Sequence, residues 1–257
     1  MKLDTILFDL DDTLLDWSQK SVSWQEFILA KNANIHAYLT AAGHSLPPLE
    51  EFFKRVGERI KEGWEEAKKT WAGLSFAQVL GQVFTDLNLD VEQIDLDEVM
   101  RVFDWGPIPG VVPYPDAIPV LGELRQRGYK MGLVTNSFHP MWMRDVELRA
   151  YDLLDFFDAR ISSGDTGYMK PHPAIYWRIM GLLDTTPERA IFIGDRPEND
   201  VAGANYVGMK SVLMKPPHLN RELNGATPDY IITTLQELLP IADGIRTGEG
   251  THGTYRN

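Results

Sequence analysis

Asp9, Asp11 and Asp12 crowd into four residues at the end of an apolar run, in Leu7-Phe8-Asp9-Leu10-Asp11-Asp12-Thr13-Leu14-Leu15. Like charges so close repel unless something positive holds them. A bound cation is the simplest holder, and a solvated acidic turn is the alternative. Farther along, Thr135-Asn136-Ser137 and Asp195 end two other apolar runs, Lys170 precedes Pro171, and Asp200 closes the segment Gly194-Asp195-Arg196-Pro197-Glu198-Asn199-Asp200. Acids, a hydroxyl and a lysine are the groups that phosphoryl transfer uses. An unaided phosphate monoester hydrolyses extremely slowly, so the barrier must fall far. One route passes through a covalent acyl-phosphate with a carboxylate as nucleophile. A second carboxylate near the departing oxygen then serves as acid and base. Mg²⁺ takes hard oxygen ligands and few protein carboxylates, leaving positions for water and phosphate. A lysine and a hydroxyl neutralise and orient the remaining phosphoryl oxygens.

These groups need elements to carry them. Residues 3–9 read as a short buried strand ending in acids. From 17 to 105 the period is helical: Leu49, Phe52, Phe53, Val56, Ile60 and Trp64 follow three- and four-residue steps, as do Phe76, Val79, Leu80, Val83, Phe84 and Leu87. The segment from Trp105 to Pro115 is too rich in proline and glycine for a helix interior and reads as linker or hinge. Beyond it, apolar strands at Met131–Thr135, Ala159–Ile161, Ala190–Gly194, Ser211–Met214 and Tyr230–Ile232 alternate with helices. That alternation predicts an α/β fold with a doubly wound parallel sheet, Rossmann-like, carrying an inserted all-helical unit. The expected division is a catalytic core of residues 1–16 and 106–257 around a helical cap of residues 17–105. Ligands of such sheets bind outside the carboxyl ends of the strands, and three of these strands end in Asp9, Thr135 and Asp195.

The four stretches Asp9-x-Asp11-x-Thr13, Thr135, Lys170-Pro171 and Gly194-Asp195 through Asp200, in this order and each at a strand end or helix start, resemble the haloacid dehalogenase superfamily of aspartate-nucleophile hydrolases. The resemblance covers residues 3–15 and about 115–235, and the helical block matches in placement. It implies that Asp9 is the nucleophile and a Mg²⁺ ligand. Asp11 would be the general acid/base, with its backbone carbonyl a second ligand. Asp195 would be the third protein ligand, and Asp200 would assist at the metal or through water. Thr135, Asn136 and Lys170 would hold the transferring phosphoryl, and Thr13 would shape the loop. Family members acting on carbon–halogen or carbon–phosphorus bonds generally lack an acid at the position of Asp11. Asp11 therefore favours phosphate esters, because an oxygen leaving group needs a proton. The implied function is a Mg²⁺-dependent phosphatase for a small phosphorylated metabolite, working through an aspartyl-phosphate. A phosphomutase of the same family, or a catalytically silent phosphate-binding protein, is the alternative. A phospho-accepting receiver module is about half this length and lacks a helical insertion.

Other roles compete for several of these residues. Strand-end acids can be helix N-caps, Asp12 reads as a turn residue, and Asn136 and Ser137 can cap the next helix. Arg196 either adds positive charge or pairs with Glu198 or Asp200, while His139 and His172 are expected at the surface. Five of the seven tryptophans, Trp17, Trp24, Trp64, Trp71 and Trp105, fall in or beside the helical block and read as its packing core. Among Arg55, Arg59, Lys61, Lys68 and Lys69 a substrate contact competes with a solvated helix face.

Composition sets the outer limits. The net charge of −12 disfavours nucleic acid and anionic membranes as partners, so any phosphate site needs local positive groups. The absence of cysteine rules out disulfides and thiolate chemistry. Asp4 stands where a signal peptide would be apolar, and no run approaches the roughly 18 apolar residues of a membrane span, so a cytoplasmic protein is expected. Gly248-Glu249-Gly250-Thr251-His252-Gly253 fits a dinucleotide-binding glycine pattern by letters only, since it follows no strand and opens no helix.

Overall fold

The computed structural model describes residues 2–248. The glycine-patterned tail from Glu249 onward lies outside them. Strand β1 (Thr5–Phe8) leads into the two-residue β2 (Leu15–Asp16), and four helices follow: α1 (Trp24–Ala41), α2 (Leu49–Thr70), α3 (Phe76–Asp86) and α4 (Leu96–Val102). The chain returns through β3 (Val112–Pro113) and continues as α5 (Ala117–Gln126), β4 (Lys130–Thr135), α6 (Met141–Ala150), β5 (Ala159–Ser162), α7 (Ser163–Thr166), α8 (Pro173–Leu183) and β6 (Ala190–Gly194). It ends in α9 (Ala202–Tyr206), β7 (Lys210–Met214), β8 (Tyr230–Ile232) and α10 (Leu238–Thr247).

Six strands form a sheet in the order β5-β4-β1-β6-β7-β8, and every neighbouring pair is parallel. This is the doubly wound order, in which the winding reverses beside the first strand and leaves a crevice there. Alternation along β1 explains the two helical layers. Ile6 and Phe8 join an apolar cluster with Leu121 and Leu124 of α5 and Leu148 of α6. Leu7 faces the other way, into a cluster with Ile175, Tyr176 and Ile179 of α8. Since both faces are covered, all four residues of β1 are buried, and the strand has no need of a polar face.

The linker expected between 105 and 115 is partly ordered as a strand. Leu15 pairs with Pro113 and Asp16 with Val112, antiparallel, in a two-stranded ladder. A run of two residues carries no readable period, so the sequence pattern misses it. The ladder brings the outgoing and returning connections of the helical insertion side by side.

His139 corrects the surface expectation. It is 2% exposed, with ring centroids 4.0 Å from Trp105 and 4.1 Å from Phe138. His172 is half-buried, and its ring nitrogen Nδ1 accepts from the Ala174 N–H as the N-cap of α8. Burial pushes the His139 imidazole well below its ordinary pKa, and the Arg144 charge adds to that. The unfolded chain therefore binds a proton that the native state refuses, so the contribution of His139 to stability falls as pH drops below about 6.5. His139→Gln should remove up to about 1.4 kcal/mol per pH unit of that slope. Urea midpoints measured between pH 7 and pH 5 check this, and parallel curves for both proteins would contradict it.

Candidate active site

The crevice at the reversal of the winding lies between β1 and β6, and the acids that follow these strands meet there. The Asp9 N–H donates to the Ile193 carbonyl at 2.8 Å, continuing the β1–β6 ladder one step past the strand. After β6, Asp195 is followed by a turn of π-helix at Pro197–Val201, a wide winding often found at functional sites. It returns Asp200 toward Asp195, and the Arg196 N–H donates to Asp200 Oδ2 at 2.8 Å. Arg196 thus holds Asp200 through its backbone N–H, and of its two expected roles the salt bridge to Glu198 or Asp200 is not formed among the described residues. Gly194 is required beneath them, because a Cβ there would collide with the Asp200 carboxylate.

Asp9, Asp195 and Asp200 are all buried, and each offers an oxygen within 4.8 Å of the others. Lys170, 1% exposed, places Nζ 2.7 Å from Asp9 Oδ1 and 2.7 Å from Asp200 Oδ1. Burial raises the Asp9 pKa, Lys170 opposes that, and Asp200 adds to it. Asp195 is raised by burial and by the charges of Asp9 and Asp200. For Lys170, burial alone would lower the pKa, but Asp200 and Asp9 overcome it and hold the ammonium charged. A residual negative charge and a buried Asp195 Oδ1 with no hydrogen-bond partner fit a hard divalent cation, which takes carboxylate oxygens.

Asp11 is placed differently. Its carboxylate turns from the cluster and accepts from Arg144 Nη2 at 2.8 and 3.0 Å and from Trp17 Nε1 at 3.0 Å. Only its backbone carbonyl remains for the metal role expected of it. Asp12 is the turn residue the sequence suggests, with φ of 58°, a left-handed conformation that Asp tolerates better than most residues. Thr13 is fully buried in the same loop. Thr135, Asn136 and Lys170 line one cleft of about 860 Å³ with Asp9 and Asp11. The Asn136 side chain grips the Lys170 backbone, donating to its carbonyl at 2.9 Å and accepting from its N–H at 2.8 Å. It therefore fixes the lysine. Trp64 and Trp71 also line this cleft, so the block's tryptophans are not all packing core.

Three charged residues escaped the sequence reading: Arg144, Glu147 and Arg221. Arg144 of α6 is buried, with Nε 3.0 Å from Glu147 Oε2 while its Nη2 holds Asp11. Burial raises Glu147 to a pKa of about 7, and the Arg144 charge opposes that rise. A signal was present: Met141, Arg144 and Leu148 share one helical face, so the arginine sits in an apolar register. Arg221, from the β7–β8 loop, lies 2.5 Å from Asp195 Oδ2 and 3.3 Å from Asp12 Oδ2. An irregular loop offers no period that would announce it.

Comparison with known proteins places this geometry. Residues 3–208 match the family model for haloacid dehalogenase-like hydrolases. The chain is 27% identical over 243 residues to the glyceraldehyde 3-phosphate phosphatase of Methanopyrus kandleri, covering 93% of this chain and 97% of that protein. It is 26% identical over 248 residues to the pyrophosphatase PpaX of Bacillus mycoides, with 95% and 99% covered. The crystal structure of a HAD phosphatase from Thermococcus onnurineus aligns with a TM-score of 0.62 at 28% identity, over 95% of this chain and all of that one.

Removing the guanidinium should be severe, because it would strand Glu147 without its buried partner. Arg144→Ala should cost about 3–5 kcal/mol of folding stability. Arg144→Met combined with Glu147→Leu should recover most of that loss, since paired apolar replacements of buried ions are often neutral. Denaturant titration of both variants checks this, and equal losses would refute it.

Proposed function

We propose, because this chain belongs to the haloacid dehalogenase-like hydrolases, that it is a phosphatase hydrolysing a small phosphate monoester through a phosphorylated Asp9. A hydrolase acting on phosphate esters agrees with the names of the relatives it resembles, a glyceraldehyde 3-phosphate phosphatase and a pyrophosphatase. The observation that carries the reading is the buried Asp9 carboxylate, held by Lys170 at 2.7 Å beside Asp195 and Asp200.

Asp9 attacks phosphorus as the bond from phosphorus to the ester oxygen breaks. Asp11 protonates the departing oxygen, then takes a proton from the water that opens the acyl-phosphate. Its two carboxylate oxygens are already oriented by Arg144 and Trp17. Lys170 and the Thr135 hydroxyl bind phosphoryl oxygens, and Asn136 keeps Lys170 in place. A divalent cation such as Mg²⁺ would be held by the carboxylates of Asp9 and Asp195 and the Asp11 carbonyl, with Asp200 assisting directly or through water, and would supply positive charge against the phosphoryl oxygens. Residues 17–105 act as a cap that shelters the reaction from water and selects the leaving group. Among the described residues no helix is long and apolar enough to cross a membrane.

With p-nitrophenyl phosphate, the protein should release phosphate in the presence of Mg²⁺ and stop on chelation with EDTA. Asp9→Asn should lower kcat by at least about 10³-fold while the protein stays folded at the assay temperature, as checked by circular dichroism. Undiminished turnover by Asp9→Asn would end the aspartyl-phosphate reading.

A further inference from the structure

Helix α2 carries six basic residues, and four of them are ion-paired. Lys54 pairs with Glu58, Arg55 with Glu51, Arg59 with Glu62 and Asp86, and Lys69 with Glu66. Lys61 and Lys68 have no ion pair among the described residues, although Glu65 lies between them on the same helix. These two are also the basic residues of α2 that line the cleft containing Asp9, Asp11 and Lys170. Of the five residues for which a substrate contact competes with a solvated face, Arg55, Arg59 and Lys69 are ion-paired, while Lys61 and Lys68, exposed at the cleft, have no ion pair among the described residues.

The helix is anchored to the site. The Met169 N–H donates to the Trp71 carbonyl at 3.0 Å and the Gly73 N–H to the Gly167 carbonyl at 2.9 Å. Trp64 meets Phe138 edge to face, with centroids 6.3 Å apart. The carboxyl end of α2 is thus tied to the loop immediately before Lys170. Lys68 lies three residues before that tie, and Lys61 lies two turns farther back, about 10 Å along the axis. The core wall already supplies Lys170 and Thr135 for one phosphoryl group. Lys61 and Lys68 line the same cleft from α2, away from these core residues in sequence.

We propose that Lys61 and Lys68 form a second anion site, so that the preferred substrate is a phosphate ester whose leaving group carries its own carboxylate or phosphate. This rests on the phosphatase reading and adds the substrate class to it. Glu65 and Glu198 line the same cleft, so an anion finds a favourable position at the lysines and not throughout the cavity. A singly phosphorylated neutral alcohol would leave both ammonium groups unused, and a bare aryl phosphate would do the same.

Kinetics with 3-phosphoglycerate and glycerol 3-phosphate test this, because they differ chiefly in a carboxylate against a hydroxymethyl group. A diphosphate-bearing ester forms a second arm that distinguishes carboxylate from phosphate as the anion read. The wild type should favour the doubly anionic ester by about tenfold or more in kcat/KM. Lys61→Gln and Lys68→Gln together should erase that preference, mainly through KM, while leaving turnover of p-nitrophenyl phosphate within about twofold. Lys68→Arg should retain it. Equal kcat/KM for the two esters, with p-nitrophenyl phosphate still hydrolysed, would overturn the second anion site alone. Loss of all phosphate release in the wild type would instead overturn the underlying phosphatase reading.

Discussion

Asp9, Asp195 and Asp200 share a space less than 5 Å across, out of water, with Lys170 between two of them. Such a group is unstable by its own electrostatics, since burial and mutual repulsion both favour protonation over charge. Much of the surrounding structure supplies what the cluster lacks. The central strands β1 and β6 deliver two of the acids by backbone pairing, a π-turn delivers the third, and Asn136 fixes the lysine by its main chain. Arg221 adds a cation from outside the sheet, at Asp195. What remains unbalanced among these groups is negative charge, which suits a hard divalent cation.

A second charged arrangement lies beside the first and is built differently. Arg144 is shared between Asp11 and Glu147 beneath a layer of aromatic rings, with its guanidinium 6.0 Å from the Trp105 ring. Here one cation serves two acids with no metal required. The separation matters, because Asp9 and Asp11 are two residues apart yet belong to different electrostatic environments. Asp9 is tuned by Lys170 and the acid cluster, and Asp11 is oriented by Arg144 and Trp17. Two carboxylates can take unlike parts in one reaction only if their surroundings differ in this way.

Legibility followed regularity. The six main strands were readable because buried parallel strands are continuously apolar, and Asp9, Thr135 and Asp195 stood out as the polar residues ending them. Lys170 and Asp200 were legible only through family resemblance, since a lysine before proline and an acid in a loop have no period. Arg144 lay in plain view as a charge in an apolar register of α6, but one such residue is easily assigned to the surface. The same bias put His139 at the surface, although it stands among four aromatic rings, those of Phe76, Phe103, Trp105 and Phe138. Arg221 and the β2–β3 ladder depend on loop geometry and long-range return of the chain, which local pattern cannot encode. The sorting of α2's lysines required knowing which carboxylates lie within reach in three dimensions.

Gly194 carries a consequence for how this site can change over time. The space a side chain would fill at 194 is taken by the carboxylate of Asp200, which in turn meets Lys170. Any replacement at 194 would displace the acid six positions later and, through it, the ammonium that touches Asp9. Drift at 194 is therefore blocked unless position 200 changes in the same lineage, and a change at 200 alone would leave Lys170 with half its partners. The two positions should behave as one inherited unit, gained or lost together.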